Sequence, residues 1–141
     1  MILHVVLFNF SFLTFAQLMF SNRLCLKKFK LLFMKRNFNT DSIGNDFYDD
    51  KKKAVWEKAQ IIPDVNKDLI RIDRCGALIR WDKYGEIIEK GFGWEIDHIR
   101  PVSLNGNDDL SNLQPLQWQN NRHKSDTFPG SDYCKISANS K

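Results

Sequence analysis

The chain has 141 residues, 43% of them hydrophobic, with 11 Phe and 4 Trp, which suits one domain of modest size and no more. Its formal charge of +4 belongs to the first 33 residues, where Arg23, Lys27, Lys28 and Lys30 stand without an acid; from Met34 onward 17 basic residues face 17 acidic ones. Net charge thus gives no support to a basic nucleic-acid-binding body, so any phosphate contact must come from local residues. The three cysteines, Cys25, Cys75 and Cys134, form no C-x-x-C pair, which excludes a four-cysteine zinc knuckle within one chain.

Residues 1–22 carry no Lys, Arg, Asp or Glu and are mostly apolar, though His4, Asn9 and Gln17 interrupt them. Three readings stay open for residues 1–33: a dispensable extension ahead of an internal start at Met34, a signal or membrane anchor, or an interfacial helix. The basic residues follow the apolar run, which fits an anchor with a cytoplasmic C-terminal side better than a cleaved signal. Localisation stays open with them: intracellular if the segment is no true signal, membrane-anchored or secreted otherwise.

Residues 34–49 are polar and turn-rich and read as a flexible linker. Residues 50–61 read as a helix: Val55, Ala59 and Ile62 recur at helical spacing, Asp50 can cap the start, and Pro63 ends it. Lys51 to Lys53 suit a solvated helix start. Residues 70–88 alternate short apolar runs with turn signals at Gly76 and Gly85 and read as a small hairpin. Trp81, Tyr84, Phe92 and Trp94 are the expected aromatic core. Cys75 and Cys134 can bridge, although free thiols are the simpler reading.

Residues 94–126 read W-E-I-D-H-I-R-P-V-S-L-N-G-N-D-D-L-S-N-L-Q-P-L-Q-W-Q-N-N-R-H-K-S-D. Trp94 to His98 alternate as a strand closed by Pro101, residues 103–111 form a polar loop with Gly106, Leu113 to Leu116 form a second strand, and residues 117–124 start a helix that is polar on most faces. Asp97 beside His98 has a clear chemical use. A carboxylate is a hard oxygen ligand for Mg2+, and an imidazole, which titrates near neutrality, can take a proton from water. Adjacent strand residues point to opposite sides unless a strand end or bulge lets them converge. A lone Asp-His pair is weak evidence, since such a histidine is more often structural. Asp108 and Asp109 read as solvated loop or cap residues rather than ligands.

The ordered submotifs W-E-I-D-H-I-R-P, G-N-D-D, S-N-L-Q-P-L and N-N-R-H-K-S-D resemble the HNH endonuclease family. That resemblance covers residues 94–126, and more loosely 54–126. It implies an α+β fold, a small ββα-metal unit with a short antiparallel hairpin and a metal-binding helix, within a domain spanning residues 50–130 and followed by a tail at 131–141. It implies His98 as general base, Asn112 as the residue that pins the loop, and Asp97 and Asn121 as ligands of one divalent cation, Mg2+ first, Mn2+ or another second. His123 is the reserve ligand, and Arg100, Arg122 and Lys124 are candidate phosphate contacts. Many members carry two C-x-x-C pairs for zinc; their lack here implies no structural zinc. The expected partner is nucleic acid, double-stranded DNA first, with no small organic cofactor; protein partners stay open. Two alternatives remain, an inactive nucleic-acid-binding module and a secreted nuclease toxin.

Overall fold

The computed structural model describes residues 36–130 and 132–137. The apolar segment 1–33 and the readings attached to it lie outside the described residues. No helix among the described residues is long and apolar enough to cross a membrane.

Helix α1, Asp49–Trp56, begins one residue before the expected cap, with Tyr48 at the N-cap and Asp49 and Asp50 in the first turn, where carboxylates meet the positive end of the helix dipole. It stops well short of Pro63. Lys58 N–H and Ala59 N–H donate to Val55 O and Trp56 O, which tightens the last turn. Gln60 then pairs with Ile72, N to O at 2.8 and 2.9 Å in the two directions, so the sheet takes the chain before proline can act. Arg71, buried, donates to Glu57 O and Ala59 O and so satisfies carbonyls just past the helix end.

Strands β1, Ile70–Ile72, and β2, Leu78–Arg80, form the expected antiparallel hairpin, with Arg71 opposite Ile79. The turn between them is built on Asp73, whose Oδ1 accepts from Cys75 N–H and Ala77 N–H, both at 2.8 Å. Gly76 sits in that turn at φ 80°, a left-handed conformation that costs glycine nothing.

The second hairpin pairs β3, Trp94–His98, with β4, Leu113–Gln117, and helix α2, Trp118–Lys124, follows directly. Every residue of both strands is buried. Pro115 lies opposite Ile96. Ile96 N–H points away from β4 and donates to Asn39 Oδ1 at 2.8 Å, so this is a pair whose backbone groups face outward, and a residue without an N–H costs the ladder nothing there. Two residues on, Gln117 N–H also points outward and donates to Asp73 Oδ2 at 2.9 Å.

One face of the second hairpin meets an aromatic core. Trp94 stacks against Trp56, Trp81 and Tyr84 at ring separations of 5.2, 6.0 and 4.9 Å, with Val55, Ile79, Ile96 and Leu113 around them. Phe92, expected in this core, is 43% exposed. Phe47 takes a core place instead, and so overturns the flexible-linker reading of its segment: Phe47 is buried and Asn39 is bonded to β3. The expected tail is tied down as well. Cys134 is disulfide-bonded to Cys75, which corrects the free-thiol reading, and Tyr133 is buried.

Candidate active site

Helix α2 has few apolar residues, yet Asn120, Asn121 and Lys124 are buried. Its start is capped by Gln117, whose side chain accepts from Gln119 N–H at 2.7 Å. Polar side chains then pair inward in two rows. Asn121 and Lys124, three apart and so on one face, meet β3. Asn120 and His123 meet the C-terminal segment. Asn120 donates to Asp73 and Ile136 O and accepts from Lys135 N–H and Ile136 N–H. The Nδ1 of His123 lies 3.0 Å from Tyr133 O. That contact engages one ring nitrogen of His123, the reserve ligand, with the C-terminal segment.

The β3 face toward α2 carries two buried carboxylates, Glu95 and Asp97, two residues apart. Asp97 Oδ1 accepts from Lys124 Nζ at 3.0 Å and its Oδ2 from Gln114 Nε2 at 2.7 Å. Burial pushes the Asp97 carboxyl above its ordinary value, against the opposing pull of the Lys124 ammonium and the Gln114 hydrogen bond. Lys124 Nζ also donates to His98 O at 2.8 Å and the side chain is 2% exposed: its ammonium is enclosed and ties α2 to the end of β3, the helix-holding alternative to a phosphate contact. Glu95 accepts from Asn121 Nδ2 at 2.7 Å and from Arg122 Nη2 at 3.0 Å. Glu95, which the motif reading passed over, thus holds Asn121 by its amide nitrogen. The carbonyl oxygen is then the end of Asn121 able to ligate a cation.

His98, the next residue, is on the other face, opposite Leu113 and tilted against Phe47 at 6.1 Å. β3 stays regular through this position, so the imidazole and the Asp97 carboxylate project to opposite sides of the strand end rather than to one side. His98 Nε2 lies 2.7 Å from Asp108 Oδ1. Asp108 in turn accepts from Ser42 N–H at 2.9 and 3.1 Å and from Ser42 Oγ. This corrects the reading of Asp108 as a solvated loop residue. Partial burial raises its carboxyl, but the hydrogen bonds from Ser42 and His98 outweigh that and hold it below the usual carboxylate range.

The loop that carries Asp108 is closed by Asn112, whose Oδ1 accepts from Arg100 N–H at 2.9 Å while Nδ2 donates to Asn107 O at 2.8 Å and Arg100 O at 3.2 Å. Its own carbonyl accepts from Ile99 N–H at 2.8 Å. Asn112 is thus bound to the two residues that follow His98. Gly106 is required here, since a Cβ at that position would stand 1.8 Å from Arg100 O. Arg100 is exposed, with Nε donating to Leu104 O. The Arg122 guanidinium lies over Phe38 at 4.7 Å and is partly exposed.

No group of three or more His, Cys, Asp or Glu among the described residues is placed to hold a metal ion. The oxygens of Asp97 and Asn121 are a different donor set, hard and few. Oxygen donors of this kind suit a hard divalent cation.

No curated protein and no solved structure matches the chain. The family model for HNH endonuclease matches residues 74–127, the stretch that runs from the Asp73 turn through both strands of the second hairpin and all of α2. That segment, with its α+β hairpin-and-helix unit, is an HNH endonuclease-type domain within the chain.

Proposed function

We propose that the chain is a metal-dependent endonuclease that hydrolyses phosphodiester bonds in double-stranded DNA, with His98 as the general base. The observation that supports this reading is the HNH match over residues 74–127, with Asp97, His98, Asn112 and Asn121 standing at its motif positions at the end of β3, in the loop and on α2. In-line displacement needs the attacking and departing oxygens on opposite sides of phosphorus, so base and cation must approach one phosphate from two directions. Held by Asp97 and Asn121, a divalent cation such as Mg2+ would supply Lewis-acid stabilisation of charge on phosphate oxygens. His98 takes the proton from the attacking water. Glu95 orients Asn121, and Lys124 fixes Asp97 and the His98 carbonyl together. Arg100, exposed, and Arg122, partly exposed beyond its bond to Glu95, lie nearest these groups in sequence and carry planar donor forks that suit phosphate.

The test is the full chain on supercoiled plasmid with Mg2+. Cutting is expected to stop with EDTA and to fall by about 10²- to 10⁴-fold in His98→Ala, with circular dichroism unchanged. Cutting that survives either change overturns the mechanism. Binding without cutting by the wild type instead favours an inactive nucleic-acid-binding module, and cleavage of RNA alone overturns the choice of DNA.

A further inference from the structure

We infer that Asp108 is a positioning residue for His98, held in place by Ser42, and that it sets the imidazole tautomer so that Nδ1 is the nitrogen that accepts the proton. The inference rests on the reading of His98 as general base. It starts from one contact, His98 Nε2 to Asp108 Oδ1 at 2.7 Å. A carboxylate that already accepts from the backbone and side chain of Ser42 is an anion built to accept, and it has no proton to give. The hydrogen between it and the ring therefore belongs to Nε2, and the lone pair of the neutral ring lies on Nδ1. During attack the water oxygen bonds to phosphorus, the water proton passes to Nδ1, the bond to the leaving oxygen breaks with its electron pair going to that oxygen, which takes a proton from solvent water, and Asp108 faces the imidazolium so formed. Its stabilising charge is in place before the reaction, which is where an orienting carboxylate acts on a base.

The anchoring of this carboxylate is independent of the hairpin. Ser42 lies 66 residues earlier in the chain and outside the stretch that matches the family, and Lys51 Nζ holds the Asp108 carbonyl at 3.1 Å. The segment ahead of α1 is thus part of the catalytic architecture through its grip on Asp108.

Long-range ¹H–¹⁵N correlation spectra of the full chain test the pairing, with the His98 signals assigned by their loss in His98→Ala. The wild type is expected to show the Nε2–H tautomer, and Asp108→Asn, whose amide can accept or donate, to lose that preference. In plasmid cleavage Asp108→Asn should lower kcat by about 10- to 100-fold with KM little changed, the size usual for orienting partners. Ser42→Ala, which keeps the backbone donor, should lower kcat less and in the same direction. An Nδ1–H tautomer in the wild type, or wild-type kcat in Asp108→Asn, overturns the inference. The spectra need no substrate, so they judge the Asp108 pairing even if the chain fails to cut, whereas a His98→Ala chain that still cuts overturns the base itself.

Discussion

Single side chains in this molecule take roles that their residue type conceals. Lys124 is the clearest case: in sequence it is a cation beside a nuclease motif, and in the fold it is a buried partner of Asp97. Breaking a buried pair leaves an uncompensated charge, so Lys124→Ala should cost about 3–5 kcal/mol in urea unfolding. A lysine that only touched phosphate would leave that midpoint unmoved and raise KM. Asp108 gives a prediction of the other kind. Its folded value lies below the ordinary value of 3.8, so the unfolded state binds the proton more readily, and its contribution to stability is present above that pH. The contribution fades as pH falls through the folded value. Urea midpoints measured from pH 5 down to pH 2 should therefore fall less steeply in Asp108→Asn than in the wild type. Asp97, His98, Asn112 and Asn121 were legible as candidates because they sit in ordered submotifs. Asp108, Glu95 and Asn120 were not, because their partners come from distant segments: a carboxylate in G-N-D-D looks solvated until Ser42 is placed against it.

At the scale of elements, periodicity found both hairpins and both helices but misjudged where they end and what they bury. Helix α1 stops at Trp56 because Gln60 joins β1, a tertiary pairing that no local signal carries. Helix α2 looks like a surface helix by composition, yet its polar groups are buried in pairs with β3 and the C-terminal segment. Paired polar groups can replace an apolar face when each finds its partner. Aromatic residues were read by type rather than by position. Trp56, 3% exposed and against both Trp81 and Trp94, should cost about 3–5 kcal/mol as Trp56→Ala. Phe92→Ala, at an exposed site, should stay within about 0.5 kcal/mol. Thermal melts of the two variants side by side check this.

The domain as a whole is held by segments on either side of the family-matched stretch. Ser42 and Asn39 reach it from before α1, and Tyr133 to Ile136 reach it from behind α2. The Cys75–Cys134 disulfide closes a sequence separation of 59, for which chain-entropy reasoning gives about 4 kcal/mol of stabilisation. Reduction should lower the melting temperature of the wild type and leave a Cys75→Ala/Cys134→Ala chain unchanged. Two cysteines 59 apart could not declare this by themselves, since bridging depends on the hairpin turn and the C-terminal segment meeting beside α2. The outward-facing backbone of the second hairpin has a consequence of its own. A two-stranded sheet offers two open edges, and open edges invite other chains to add a strand and aggregate. Here Asn39 occupies the Ile96 donor, Asp73 occupies the Gln117 donor, and Pro115 has no donor to offer. Strand addition is blocked along that stretch on both sides of the hairpin, so a partner molecule must engage side chains and loops there rather than extend the sheet.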